Sequence, residues 1–262
     1  MKTIMLGLVV VMLAAAAMPM VGAQIALVQN TASYFSSDHK VLYIVGEVLN
    51  TGTLAMGGHT LVSADLKDSK GTVIDTITIF LTATYLPSRS RAPFQLTESN
   101  PARIQALTSY QIKVDYKPAE QTLPDNLAIQ NTNSSIDSQG HLDVLGQVRN
   151  TGIGLSYSTV VVGTFYDANG TVAFVATSPT TPDTVPQAGT GAFKLTVNDA
   201  GQIPKIKSWS LFAQSQEFSS VSTPTNTSYT NVPETPWPTL MLTLALTLGL
   251  VVLRRKIPHH EP

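Results

Sequence analysis

The sequence contains no cysteine. This absence excludes disulfide bonds, thiolate metal sites and thiol nucleophiles, so an exported domain of this chain must be stabilised by packing alone. Charge is also scarce, because only 13% of the residues are charged whereas 43% are hydrophobic. The basic residues form no stripe that could neutralise phosphates, so nucleic acid is not an expected partner.

The N-terminal end has the pattern of a secretory signal. Lys2 precedes an apolar run over residues 4–18, and small residues follow up to Ala23. This order predicts a signal peptide over residues 1–23, with cleavage between Ala23 and Gln24. The alternative is an uncleaved anchor, because the apolar stretch is just long enough to cross a bilayer.

The C-terminal end has the pattern of a membrane anchor. An apolar run covers residues 237–253 and stops at Arg254, Arg255 and Lys256. The run has the minimum length of a spanning helix, and a basic stop is typical of the cytoplasmic side. We therefore predict a single-pass protein of the cell membrane with a cytoplasmic tail over 254–262 and extracytoplasmic N-terminal domains. A buried core helix is the alternative, but the short tail offers no domain to bury it.

Between the two ends, the chain repeats itself. GEVLNTG at residues 46–52 returns as GQVRNTG at 146–152. Further pairs follow in the same order: DSKGTV from Asp68 with DANGTV from Asp167, and LPSRSRAPFQLT from Leu86 with VPQAGTGAFKLT from Val185. Ordered self-similarity of this kind indicates a tandem duplication. We predict one domain over residues 24–119 and a second copy over 120–218.

Each copy is predicted to consist of short β-strands. In the second copy, HLDVLGQVRN alternates apolar and polar residues as a half-buried strand does, and two β-branched runs flank Asn169 and Gly170. The Asn-Gly pair predicts a tight hairpin with positive φ at both turn residues. Strands and turns at this spacing, without a convincing amphipathic helix, predict an all-β fold of two small sandwiches.

The repeated heptapeptide is interpreted as a structural motif. Gly52 is expected to take the left-handed conformation at the end of a strand, and Gly46 and Gly146 to mark a bulge or the close approach of a backbone or an aromatic ring. Glu47 is the one group of the motif that could act as an acid or base near neutrality, and the second copy has Gln147 in its place. A catalytic role is therefore not expected.

The strand ending GEVxNTG, the FYDxNG turn and the proline followed by AF and Leu together resemble the FxLYD domain family. The second copy carries the family pattern at Phe165, Tyr166, Asp167, Pro186, Phe193 and Leu195. The first copy departs from it, because Ala64 to Lys67 precede Asp68 and no aromatic pair stands there. The resemblance implies two tandem Ig-like β-sandwiches of the kind common in exported proteins, and it implies no particular activity.

The segment before the predicted membrane helix is rich in Thr, Ser and Pro and is predicted to be a stalk over residues 219–236. Its last part, VPETPWP, resembles the C-terminal sorting signals of archaeal surface proteins. Pro233, Glu234 and Pro236 carry this likeness. It implies that the helix is removed and that the mature chain ends on a lipid, which remains the alternative to a retained helix.

The remaining residues suggest no active site. The five histidines do not stand at metal-ligand spacing with a carboxylate, DANG lacks the other acidic residues of a calcium loop, and neither a nucleophile elbow nor a phosphate-binding glycine loop is present. We expect no enzyme activity, metal or cofactor. Glycosylation sequons stand at Asn133, Asn169 and Asn226.

These observations predict a membrane-anchored cell-surface protein whose two domains act as a non-catalytic binding or structural module. Its expected partners are the lipid bilayer and another protein or surface-layer component. The alternative is an accessory extracytoplasmic subunit of a membrane complex. An exposed apolar patch on one domain would favour that alternative.

Overall fold

The computed structural model of the protein describes residues 26–220 and 223–225. The predicted cleavage site at Ala23 and Gln24, the membrane helix with its basic stop at residues 254–256, and the sequon at Asn226 lie outside the described residues. Within the described part, no helix is long and apolar enough to span a bilayer.

The described residues fold almost entirely into β-strands. The first repeat contains β1 (Ala26–Phe35), β2 (Leu42–Asn50), β3 (Leu61–Lys67), β4 (Val73–Phe80), β5 (Arg91–Glu98) and β6 (Ser109–Asp115), with the short helix α1 (Pro101–Ala106) before β6. The second repeat contains β7 (Leu127–Ile136), β8 (Leu142–Asn150), β9 (Val160–Tyr166), β10 (Val172–Pro179), β11 (Thr190–Val197) and β12 (Ser208–Gln214), with a 3-10 turn (Ile203–Lys205) before β12. A last strand, β13 (Thr223–Thr225), lies in the range predicted as stalk.

These strands form four antiparallel sheets. Sheet I has the order β1-β2-β5, sheet II β4-β3-β6, sheet III β10-β9-β12-β13 and sheet IV β11-β8-β7. Sheets I and II use only strands of the first repeat, and sheets III and IV only strands from the second repeat and its continuation. The order is the same in both repeats apart from the added β13. The all-β, sandwich-like architecture predicted from the sequence is therefore confirmed.

Within each repeat the two sheets face each other across an apolar core. In the first repeat, Ile44 of sheet I and Leu66 of sheet II are both fully buried in one cluster. In the second, Leu195 of sheet IV reaches the backbone of Gly163 in sheet III, where a Cβ would lie 2.7 Å from the leucine methyl. Each such fully buried leucine or isoleucine stabilises the fold by roughly 2 kcal/mol relative to exposure.

The predicted hairpin at Asn169 and Gly170 is confirmed, but the turn differs from the expected one. Only Gly170 has positive φ, at 77°. Asp167 and Thr171 pair across a three-residue loop, and the Asp167 Oδ1 atom accepts from the N–H groups of Asn169 and Thr171 at 2.8 and 2.9 Å. This is a hairpin with one left-handed residue, which the aspartate side chain stabilises.

The two repeats contact each other through the outer faces of sheets I and III. Tyr34 and Val45 from sheet I cluster with Val172 from sheet III. Val162 and Phe212 from sheet III join the core cluster of the first repeat. All described residues belong to one compact unit, and its sheets follow one another in the order II, I, III, IV.

Candidate functional site

The repeated heptapeptide contains a buried asparagine that forms hydrogen bonds to neighbouring loops. Asn150 is fully buried, and its Nδ2 atom donates to the carbonyl oxygens of Gly154 (2.9 Å) and Val185 (3.0 Å). Its Oδ1 atom accepts from the N–H of Gly152 at 2.9 Å. Asn50 repeats this arrangement, with donor contacts of 2.8 and 3.0 Å and an accepted contact of 3.0 Å. The asparagine therefore ties the strand end to two neighbouring loops.

The expectation that Gly52 is left-handed is wrong. Within the described residues, the glycines with positive φ are Gly71, Gly140, Gly154 and Gly170. The second-copy glycine of the motif is required for space instead, because a Cβ at Gly152 would lie 2.7 Å from the ring of Phe218. The strand glycines follow the predicted close approach of an aromatic ring: a Cβ at Gly46 would meet Phe94, and one at Gly146 would meet Phe193.

Glu47, the ionisable residue of the motif, lies in the contact between the repeats. Only 2% of it is exposed. Its Oε1 atom accepts from the hydroxyl of Tyr166 at 2.6 Å, and its Oε2 atom accepts from Asn30 Nδ2 at 2.7 Å. The guanidinium of Arg91 lies 3.9 Å from the same Oε2 atom. Burial, and then the negative charge of Glu47, raise the pKa of the Tyr166 hydroxyl well above its ordinary value.

Gln214 makes a second polar link across the same contact. Its Oε1 atom accepts from the backbone N–H and the hydroxyl of Thr84 at 2.6 and 2.9 Å. Its Nε2 atom donates to the carbonyl of Tyr85 at 2.8 Å. A buried amide whose donor and acceptor are both satisfied fixes the alignment of the two faces.

Equivalent strand positions have different surroundings in the two repeats. In β3 the outward-facing residues are Leu61, Ser63, Asp65 and Lys67, and in β9 their counterparts are Val160, Val162, Thr164 and Tyr166. The β3 set borders an open polar face, where Asp65 pairs with Lys113 and this ion pair lowers the pKa of the aspartate. The β9 set packs on the first repeat. This sheet face is therefore buried against the other repeat in the second copy and open to solvent in the first.

Two of the three predicted sequons lie at the surface. Asn133 is exposed on β7, and Asn169 is exposed in the hairpin turn after β9. The third, at Asn226, is outside the described residues. The structure does not bring Asn133 and Asn169 into one site, because they belong to different sheets of the second repeat.

No group of three or more histidine, aspartate or glutamate residues is positioned to hold a metal ion in the described part of the chain. His141 contacts Asp137 at 3.1 Å between Nδ1 and Oδ2, in a turn where the same carboxylate accepts from two backbone N–H groups. These contacts lower the pKa of Asp137. The pair closes a turn in the same way as Asp167 does after β9.

An open cleft of about 660 Å³ lies where the linker between the repeats passes both of them. Its wall includes His59, Tyr85, Lys117, Glu120 and Gln216. The charged side chains in this wall are exposed. The cleft is thus a polar groove open to solvent.

The loop between β8 and β9 carries three exposed apolar residues, among them the most exposed large apolar side chain of the described residues. Ile153 is 90% exposed, and Leu155 and Tyr157 are 42% and 44% exposed. The backbone N–H of Tyr157 donates to the carboxylate of Glu217 at 2.8 Å, which holds the loop against the segment after β12. The sequence pattern did not lead us to predict this loop. The signal was present as alternating apolar residues within GIGLSYS, next to a strand end.

Comparisons with known proteins identify no relative. No family model matches the chain, and no curated protein matches it. Among solved structures, the exo-chitosanase of Amycolatopsis orientalis is similar with a TM-score of 0.29 and 12% identity, covering 75% of this chain and 26% of the enzyme. The transglutaminase of red sea bream is similar with a TM-score of 0.27 and 11% identity, covering 78% of this chain and 31% of that chain. The chain spans about a third of these enzymes or less, and likenesses this weak assign no family or activity to it.

Proposed function

We propose that this protein is an exported, membrane-anchored surface protein whose two Ig-like domains of the FxLYD type act as a non-catalytic binding module. The observation that carries the proposal is the pairing of β13 with β12. Thr225 lies opposite Trp209, and Thr223 lies opposite Leu211. β13 therefore runs towards the end of sheet III at which β9 finishes.

The exposed apolar loop lies at the other end of that sheet. β9 starts at Val160, directly after the loop over residues 153–157, and ends at Tyr166. If the chain continues from Thr225 into the predicted anchor, the loop is presented away from the membrane. A loop with Ile153 almost fully exposed is then available to a partner.

The contact between the repeats supports this display. Glu47, Tyr166 and Gln214 hold the two domains in one orientation, so the loop does not move freely with respect to the first domain. Anchoring in a membrane raises the local concentration of such a module, and weak contacts then add up through avidity. The exposed Asn133 and Asn169 are the proposed glycosylation sites of the displayed part.

Labelling of intact cells tests this topology, and the cysteine-free chain gives no background. We would replace Ile153→Cys in one variant and append a cysteine-containing tag after Pro262 in another. A membrane-impermeant maleimide should label the first variant on intact cells and the second only after lysis. Labelling of the tag alone would contradict the proposal. Loss of the tag from the mature protein would instead support removal of the anchor at VPETPWP.

The accessory-subunit function is the second candidate, and the same exposed loop favours it. A photo-crosslinking residue in place of Tyr157, with crosslinking in native membranes, would separate the two candidates. A subunit should give one stoichiometric membrane-protein adduct. A free-standing surface module should give adducts with external components only, and the exposed control position Gln139, in the turn between β7 and β8, should give neither.

A further inference from the structure

Strand β6 is an open edge, whereas its counterpart in the second repeat is covered. β12 pairs with β9 on one side and with β13 on the other. β6 pairs with β3, and no other strand of the described residues pairs with it. Its second row of backbone N–H and C=O groups is therefore available to another strand.

The burial of the two strands differs accordingly. The core-facing residues of β12 are Trp209, Leu211 and Ala213, and they are 2%, 1% and 0% exposed. Their counterparts in β6 are Tyr110, Ile112 and Val114, and all of them are only half-buried. The apolar flank that β13 and the segment before it cover in the second repeat is thus left open in the first.

The path of the chain explains the difference. After β12 the chain turns back along the strand, and the N–H of Ser220 donates to the carbonyl of Ala213 at 2.9 Å. After β6 the chain has to continue to the second repeat, and it pairs instead with the segment before β3, where the N–H of Gly57 donates to the carbonyl of Lys117 at 2.8 Å. Of the two equivalent edge strands, β12 is therefore covered by the chain that follows it, and β6 is not.

We propose that β6 pairs antiparallel with β6 of a second copy of this chain. Such pairing satisfies the open edge of β6 in both copies at once. It does not require any segment to leave its own domain. A two-fold axis through Ile112 keeps the apolar residues on one face and overlaps the whole strand. On the polar face it places Gln111 opposite the partner's Lys113 and Ser109 opposite the partner's Asp115, so no like charges stand directly opposite each other. The result is a continuous six-stranded sheet.

Cysteine crosslinking tests the register of this contact. The full-length chain would be co-expressed as two differently tagged variants, Gln111→Cys and Lys113→Cys, and oxidised in its native membranes. We expect a disulfide-linked mixed dimer, and much less product from either variant alone, because residues 111 and 113 are opposite each other only between copies. Thr78→Cys, on the exposed face of the other edge strand β4, is the matched control. Absence of the mixed product, equal yield from the control, or capture of a different protein at residue 111 would overturn the proposal.

Charge substitution gives a second, independent test on the purified full-length chain in detergent. Gln111→Lys faces the partner's Lys113 in two symmetric pairs and should weaken the dimer by roughly tenfold in sedimentation equilibrium. Gln111→Glu should strengthen it by a similar factor. Thr78→Lys adds the same charge to the same sheet face and should leave dimerisation unchanged. A chain that stays monomeric, or equal effects of the two lysine variants, would overturn the proposal.

Discussion

The hydroxyl of Tyr166 donates to Oε1 of Glu47 at 2.6 Å, and this bond joins the second repeat to the first. Both residues stand at positions where the other copy has a different side chain, Lys67 for Tyr166 and Gln147 for Glu47. The contact is thus a feature of the pair of repeats, absent from the repeat as such. It also gives the buried Glu47 carboxylate one of its two hydrogen-bond donors, and Asn30 of the same repeat supplies the other, as a buried charge requires.

Removing the Glu47 carboxylate should destabilise the protein by roughly 1–3 kcal/mol, because Glu47→Ala leaves the half-buried donors Tyr166 and Asn30 without this acceptor. Glu47→Gln keeps an acceptor and should cost less. The matched control is Gln147→Ala, at the equivalent position on the solvent side of sheet IV, with an expected change below about 1 kcal/mol. Chemical denaturation of the full-length chain measures all three, and equal losses at positions 47 and 147 would argue against a contact between the repeats at Glu47.

The raised pKa of Tyr166 predicts sensitivity to alkaline pH. A group whose pKa is higher in the folded state contributes stability that is present below its unfolded pKa of about 10 and is lost as pH rises above that value. Burial and the Glu47 charge are the causes here. Tyr166→Phe should therefore lose less stability than the natural chain between about pH 10 and 11.5. Parallel pH curves for the two proteins would contradict the assignment.

The buried asparagine of the heptapeptide should be among the most sensitive residues of each repeat. Asn150→Ala removes the donor for two carbonyls and the acceptor for the N–H of Gly152, so we expect a loss of roughly 2–4 kcal/mol. Asn150→Asp should be no better, because a carboxylate cannot donate to the carbonyls of Gly154 and Val185. Asn198→Ala, at an exposed position, is the control. Thermal unfolding measures both variants. A loss of stability for Asn150→Ala no larger than that for Asn198→Ala would exclude this structural role of Asn150.

The hairpin turn predicts that a β-branched substitution lowers stability at Gly170 but not at the next residue. Gly170→Val places a β-branched side chain at a φ of 77°, which costs roughly 1–2 kcal/mol or more. Thr171→Val changes the residue directly before β10, where φ is not positive and both backbone contacts to Asp167 are kept, so it should be close to neutral. The two variants have the same new side chain, so a denaturation midpoint that falls equally in both would mean that the left-handed turn is not required.

The sequence predicted the duplication, the hairpin and the aromatic contact of Gly46, because each depends on residues close together or on a repeat of the same letters. It did not predict the burial of Glu47. A charged residue in an alternating strand is expected to face water, and the face that covers it comes from residues about 120 positions later. A comparison of outward-facing positions between the copies, such as Lys67 with Tyr166, would have indicated this contact between the repeats.

β13 could not be predicted from the sequence either. Thr223–Thr225 has the Thr and Pro composition of a linker, and Pro224 cannot donate to a ladder. Its pairing depends on the open edge that β12 offers after the turn at residues 215–219. The strand is therefore specified by its neighbour more than by its own residues.

We infer that the repeats hold together through their sheet faces and do not depend on the linker. The most direct measurement is to insert a protease site between Glu120 and Gln121, two exposed residues of that linker, and to cleave the folded full-length chain. We predict that the two fragments remain together in size-exclusion chromatography after cleavage, and that Glu47→Ala lets them separate at a lower denaturant concentration. Fragments of the natural sequence that separate at once in native buffer would show that the linker holds the repeats together.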